Sequence, residues 1–365
     1  MIISTVGTIG NCAVVDDSIL PANSDRHVGI IRIKDDYSPY VLSTFLLSKY
    51  GRMQTLREST GNVQLNLFIY KLRELQIPNF STDFQQKIET LVKSAHAKLS
   101  ESKSLYAQAE DILLCELGLK GWQPNSNGHA ELVSASTQET PKQVRGDANY
   151  SIKRFSDFAS SGRLDAEYYQ SKYDEIENAI KALSHKTLNE IADIQDSNFN
   201  PKAKVAYKYI ELANIGSSGE ITGCTEDLGE NLPSRARRVV HTGDVLVSSI
   251  EGSLQSCAIV PKEYDGALCS TGFYVLKAVA MNPESLLILL KSEIMQQLLK
   301  KGCSGTILTA ISKDEFSHVI LPILPQETQE KIAELIRRSF ALRQESRRLL
   351  QSAKLAVEAE IEGAD

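Results

Sequence analysis

The chain has little of what marks several common chemistries. Its six cysteines lie far apart with no C-x-x-C pair, and its six histidines show neither H-x-x-x-H spacing nor a cysteine partner. A zinc or redox centre is therefore not expected. Cys12 and Cys257 stand in apolar, strand-like contexts (NCAVV and SCAIV) and read as small buried hydrophobes. No run reaches the ~18 apolar residues of a membrane-spanning helix, and Met1 opens into a strand-like stretch with no basic leader, so the expected location is the cytoplasm. Missing too are a G-x-x-x-x-G-K-[ST] phosphate loop, a G-x-G-x-x-G turn after a strand, a G-x-S-x-G elbow and an N-P-P-Y-type methyltransferase motif. The chain does not read as an enzyme, and no cofactor is expected. Nor is there a surplus of positive charge: 40 Lys and Arg against 46 Asp and Glu leave a net charge of −6. That weighs mildly against a nucleic-acid partner, although a local basic surface can be hidden in an acidic sum. What is present is ordinary globular composition, 42% hydrophobic and 24% charged over 365 residues, enough for two or three domains.

The informative feature is an internal repeat. The segment from Ser4 to Val15 (STVGTIGNCAVV) falls on SSIEGSLQSCAIV, pairing Gly7 with Gly252, Cys12 with Cys257 and Ala13 with Ala258. After a one-residue slip, Ser38-Pro39 falls on Asn282-Pro283, in each case a capping residue followed by proline at the first helical position. Ile77-Pro78 then meets Leu321-Pro322, and FQQKI from Phe84 meets TQEKI from Thr328.

Each copy ends in a long helix with two core rows. In the first, Ile88, Ala95, Ser102 and Ala109 form one row, with Leu91, Lys98, Leu105 and Ile112 as the other. In the second, Ile332, Ser339, Ser346 and Ala353 stand beside Leu335, Leu342, Leu349 and Ala356. Small residues at a seam let helix axes approach closely, so the two helices are expected to pair as a coiled coil. Residues 83–117 would extend roughly 50 Å at 1.5 Å per residue, the length of a spacer. Between the copies, Gln123 to Tyr150 is polar, carries proline and glycine, and shows no period, as a connector would.

Residues 152–245 have no counterpart ahead of the first copy. They hold a predicted amphipathic helix opening at Arg163 (RLDAEYY), a strand-like KYIELANI from Lys208 to Ile215, and PSRARRVVHTGDVLVSS from Pro233 to Ser249. In the last, Arg235, Arg237, Arg238 and His241 crowd before a hydrophobic strand, with Lys202, Lys204 and Lys208 upstream. Arginine's planar fork suits phosphate oxygens and guanine edges, and lysine adds point charge. Ser234, Ser249 and Ser253 could add neutral contacts, while Gly252 and Gly305 would admit close backbone approach. Ser304 and Thr306 flank Gly305 in the same expected surface. Without the repeat, a solvated basic turn is the simpler reading of these residues.

These marks together resemble the specificity subunit of type I restriction-modification systems. They are RLDAEYY, SRARRVVHTGDVLVSS, CSGT (Cys303 to Thr306) and LPILPQETQEKI (Leu321 to Ile332), with STVGTIG, STGN and IPNFSTDFQQKI in the weaker copy. The resemblance covers nearly the whole chain. It implies an α+β protein with two target-recognition domains, each followed by a long helix, the helices pairing antiparallel. The expected layout is a partial first recognition domain (1–82), first helix (83–120), connector (121–150), second recognition domain (151–325) and second helix (326–362). It also implies that each recognition domain reads half of a split target in double-stranded DNA while the helices fix the spacing. Methyltransferase subunits, which bring S-adenosylmethionine, and restriction subunits would assemble on it. The first copy departs from the family by lacking its front half, which puts its own DNA reading in doubt. A strand-rich module cut midway would expose apolar edges and favour self-association. The competing reading is an assembly module that pairs through its helices and never meets DNA.

Overall fold

The computed structural model describes residues 1–34, 37–61, 64–122, 154–305 and 309–363. The expected connector from Gln123 to Tyr150, and Thr306, lie outside them. The fold is α+β, and the chain forms two units. One comprises Met1–Ser104 with Arg338–Asp365, the other Leu105–Arg337, so each long helix contributes to both.

In the first unit, β1 (Ile2–Ser4), β2 (Cys12–Ala13) and β3 (Val28–Ile30) form an antiparallel sheet in the order β2-β1-β3. Helices α1 (Pro39–Leu47), α2 (Lys49–Arg57), α3 (Ile69–Leu72) and the long α4 (Thr82–Glu116) follow. Proline at the first helical position fixes its φ where no N–H is needed, which starts α1. Its apolar run Val41, Leu42, Phe45 and Leu46 is buried with Ile3, Phe80, Ile88 and Val92, and with Ala353 and Val357 of the C-terminal helix.

The second unit opens with α5 (Phe155–Ser161) and α6 (Ser171–Lys181), then β4 (His185–Thr187), α7 (Leu188–Ile191) and β5 (Ala192–Gln195). The predicted helix at Arg163 is not there. Residues 163–170 form turns, and the helix starts only at Ser171. Next come β6 (Ala206–Ile210), β7 (Thr225–Leu228), β8 (Ala236–Val239), β9 (Val245–Ser248) and β10 (Cys257–Ile259). The strand expected to run to Ile215 ends at Ile210, because Glu211 and Asn214 cap each other across a 3-10 turn. After these lie β11 (Leu268–Ser270), β12 (Phe273–Ala278), α8 (Pro283–Lys291), α9 (Glu293–Lys301), β13 (Cys303–Ser304) and β14 (Ala310–Ile311). The series closes with α10 (Lys313–His318), β15 (Ile320–Pro322) and α11 (Gln326–Glu362). Two four-stranded sheets result, β10-β9-β12-β5 and β7-β6-β11-β8. Their shared core holds Leu246, Ala258, Cys269, Phe273 and Val275.

The repeat reappears in the hydrogen bonds. Gln85 accepts from the Ser38 amide and donates to Phe80 O; Gln329 accepts from the Asn282 amide and donates to Leu324 O, all at 2.9–3.0 Å. Thr5 Oγ1 donates to His27 O, and Ser249 Oγ to Gly272 O. These equivalences correct the alignment drawn from sequence. The Gly7 amide donates to Leu65 O as the Glu251 amide does to Thr309 O, so the counterpart of Gly7 is Glu251, not Gly252. The turn between the first two strands is one residue longer in the second copy, since Ile3 pairs with Cys12 and Val247 with Cys257.

The long helices run antiparallel. In the first unit Ser102 Oγ meets Ser339 Oγ at 2.9 Å, Ser346 Oγ donates to Ala95 O at 2.7 Å, and Lys98 and Glu101 pair with Glu345 and Arg338. In the second, Thr328 Oγ1 donates to Glu116 at 2.8 Å. The small row of Ile88, Ala95, Ser102, Ala109, Ile332, Ser339, Ser346 and Ala353 is buried throughout. Of the expected second row, Leu105 is buried, whereas Leu91, Ile112, Leu335, Leu342 and Leu349 are half-buried. The row on the other flank, Val92, Tyr106, Leu113, Ile336 and Val357, is buried instead.

Candidate nucleic-acid interface

Strand register divides the residues singled out from sequence into two groups at opposite ends of the second unit's sheets. At one end, the turns after β5, β6, β9 and β11 meet the start of β8 and the β13–β14 hairpin. Thr271 donates to Arg235 O, Ser249 to Gly272 O, and Ile250 bridges to Ala310, which pairs with Ser304. Ser234, Arg235, Ser249, Gly252, Ser253, Ser304 and Gly305 are thereby gathered on one rim. Lys202, Lys204, Lys208 and His241 are not. Lys202 and Lys204 lie on the exposed loop before β6. Lys208 Nζ donates to Glu263 O and lies over the Tyr264 ring, and His241 faces Asp265 beyond the far end of β8.

The arginines also separate. Arg237 and Arg238 lie within β8, itself just before the hydrophobic strand β9, so their side chains point to opposite faces. Arg237 donates to Ser234 O and to Asn200 Oδ1, pinning the segment after β5. Arg238 reaches Gln195 O and lies 6.0 Å from the Tyr274 ring, and its buried Nε has no hydrogen-bond partner among the described residues. The Arg235 side chain is 61% exposed and, among the described residues, is paired with the Glu211 carboxylate alone, at 3.6 Å. Of the three, it is the one whose fork is presented to solvent.

Two serines have structural duties. Ser249 Oγ is held by Gly272 O, as Thr5 is held in the first unit, and Ser253 Oγ meets Ser248 Oγ at 2.8 Å. At Gly252 a Cβ would enter open space, so no contact among the described residues requires glycine there. Gly305 has φ of 133°, a region L side chains avoid, so glycine is needed for the bend of the hairpin.

An open depression of 210 Å³ adjoins this rim, lined by Glu251, Gly252, Ser253, Gln255, Gln296, Gln297 and Lys300 among others. Gln297 Oε1 is buried with no hydrogen-bond partner among the described residues. Lys300 faces Glu167 at 3.4 Å and Glu251 at 4.0 Å, and Lys313 pairs with Asp196, whose carboxyl it holds below the usual range. The rim is thus a mosaic of cations each shadowed by a carboxylate, which is how a net acidic chain keeps cations in place. Sequence reasoning did not place Lys300 or Lys313 here. The RLDAEYY motif forms a fastened turn in place of the expected helix. Its Arg163 grips Asp165 in two hydrogen bonds, donates to Lys301 O and Cys303 O, and stacks over Tyr168. It fastens the turn to the carbonyl end of α9, where a cation is favoured. No group of His, Cys, Asp and Glu able to hold a metal occurs among the described residues, and none of their helices is long and apolar enough to cross a membrane.

Residues 182–350 match the family model described as the type I restriction modification DNA specificity domain. That stretch holds most of the second unit and the greater part of α11, and it is what makes the chain similar to that family. Over 138 residues it is 30% identical to the HindI specificity subunit of Haemophilus influenzae, covering 36% of this chain and 30% of that one. Among solved structures, the HsdS subunit from Thermoanaerobacter tengcongensis shares 31% identity over 41% of this chain and 40% of its own, with a TM-score of 0.37. A type I restriction-modification S subunit from M. genitalium aligns over 98% of this chain and 80% of its own at 12% identity and a TM-score of 0.41. The chain therefore spans well under half the length of the H. influenzae and T. tengcongensis subunits it matches.

Proposed function

We propose that the chain is a DNA-reading specificity subunit without catalytic activity of its own, working in the cytoplasm. In this reading the second unit binds one half of a split duplex target. The observation that carries it is the match of residues 182–350 to the specificity-domain family, over the unit whose strand ends gather Arg235, Ser304 and Gly305 on one rim. Exposed arginine at a strand end can supply both phosphate contact and a bidentate fork to guanine. The antiparallel long helices would set the spacing to a second recognition site and carry the methyltransferase subunits, with restriction subunits joining through them.

Arg235→Ala is the test, because that side chain is exposed, where a substitution typically shifts stability by about 0.5 kcal/mol or less. Duplex binding by the protein assembled with its methyltransferase partner should weaken roughly three- to thirty-fold, and the slope of log K against log salt should fall by about 0.9 if a phosphate contact is lost. Unchanged affinity and slope would remove this rim from the DNA interface. The rival reading, assembly through the helices alone, predicts no salt-dependent duplex binding at all.

A further inference from the structure

Three neighbouring strands bring one cation and one carboxylate together on the rim of the second unit. β11 lies between β6, which it pairs in parallel with Cys269 opposite Ile210, and β8, which it pairs antiparallel with Ser270 opposite Ala236. Glu211, the residue after β6, and Arg235, the residue before β8, therefore leave the sheet at the same end, on strands roughly 10 Å apart. Both backbones are tied down. The Thr271 amide donates to Arg235 O at 2.9 Å, and Ala236 beside it is wholly buried. The Glu211 amide donates to Asn214 Oδ1 and its carbonyl accepts from the Asn214 amide, each at 2.9 Å.

From these anchors the two long side chains lean toward each other, and Arg235 Nη2 stops 3.6 Å from Glu211 Oε2. No hydrogen bond spans that distance. With the side chains 61% and 36% exposed, their attraction is worth little in water, so the fork and the carboxylate both keep hydrogen-bonding capacity for a third group. Lys313 differs, because it already sits in direct contact with Asp196 at 2.5 Å.

A donor fork beside an acceptor is poorly suited to a phosphate, since the carboxylate repels the anion that the arginine attracts. It suits the major-groove edge of a G·C pair. Guanine shows two acceptors, N7 and O6, and cytosine shows its N4 donor next to them, a row that an arginine fork and a carboxylate meet in full. An A·T pair shows acceptor, donor and acceptor, so the same side chains would set donor against donor at adenine N6 and acceptor against acceptor at thymine O4. A G·C pair turned over also places like groups together.

We propose that Arg235 and Glu211 form one reading element for a single G·C pair of the target, Arg235 on guanine and Glu211 on cytosine N4, in one orientation only. The inference rests on the reading of the second unit as a duplex-binding domain.

The test selects binders from a duplex pool randomised across the target half-site, using the full-length chain assembled with its methyltransferase partner. Wild type should favour G·C at one position about ten-fold or more over the other pairs. In Glu211→Ala, which leaves the backbone bonds to Asn214 in place, and in Arg235→Ala, that preference should fall at least five-fold at this position alone, with weaker binding to the selected site. A carboxylate that merely shadows a phosphate contact gives the opposite sign: Glu211→Ala would tighten every duplex alike and leave base preference as it was. That result, or preferences indifferent to both variants, overturns the proposal and leaves the second unit a DNA reader. Absence of any sequence-selective duplex binding by the wild type overturns both.

Discussion

Removing one hydroxyl from the helix seam should cost more than removing two. Ser339 Oγ donates to Ser102 O at 2.9 Å, and the Ser102 and Ser339 hydroxyls meet at 2.9 Å, both residues wholly buried. A hydroxyl carries a single proton, so Ser339 spends its own on the carbonyl and receives that of Ser102. Ser339→Ala strands the Ser102 proton in a dry seam, a loss of about 1–3 kcal/mol, whereas a satisfied pair replaced on both sides is close to neutral. Ser102→Ala/Ser339→Ala should therefore be no less stable than Ser339→Ala alone, giving a coupling of about 1 kcal/mol in a double-mutant cycle. Urea unfolding followed by the helical circular-dichroism signal, with unchanged slope, measures it. Ser339→Leu should be worse than either, because Ser346 Oγ already reaches Ala95 O at 2.7 Å and no room exists for added methylenes. Additive single-site effects, or a Leu variant as stable as wild type, would refute the close antiparallel seam.

Glu177 gives the second unit an acid-sensitive contact. Burial pushes its carboxyl up, but hydrogen bonds from Lys301 and Lys181 outweigh this and hold it below its ordinary 4.5. Its contribution is complete above pH 4.5 and is lost as the pH falls through the depressed value. Glu177→Gln should flatten the decline in urea midpoint below pH 4.5, and an unaltered decline would contradict the pairing. Burial pushes the Cys257 and Cys269 thiols up to about 12, while Cys115 is exposed on α4. Iodoacetamide at pH 8 should thus modify Cys115 in the native protein and the other two only after unfolding. Rapid native modification of Cys257 would mean the sheet core is not packed as described.

Elements set by local pattern were legible in the sequence. The proline-started helices α1 and α8 and the small row of the long helices follow from proline geometry and period; Asn282 caps α8 as expected, whereas Ser38 makes no side-chain cap to α1 and donates its hydroxyl to Glu89 instead. What was misread depended on contacts distant in sequence. RLDAEYY has helical composition, yet Arg163 finds better partners in the carbonyls at the end of α9, 138 residues away, and the helix waits until Ser171. The one-residue difference in the first hairpin was hidden because Gly7 and Gly252 match by identity, whereas strand register equates Gly7 with Glu251. The arginine run looked like one patch because sequence proximity does not show alternation. Once Arg237 and Arg238 lie in a strand they face apart and are half-buried, and Arg235 is the fully exposed one of the three. Lys300 and Lys313 went unnoticed because isolated lysines in helices carry no signal until folding brings them beside that rim.

Hydroxyl-radical footprinting of the assembled protein, with and without duplex DNA at low salt, tests the central claim most directly. Protection confined to residues 211, 234–238, 249–253 and 300–313 is the expected result. Protection at Lys202, Lys204 and His241, with none on the Arg235 rim, would place the DNA at the wrong end of the sheets and contradict the account.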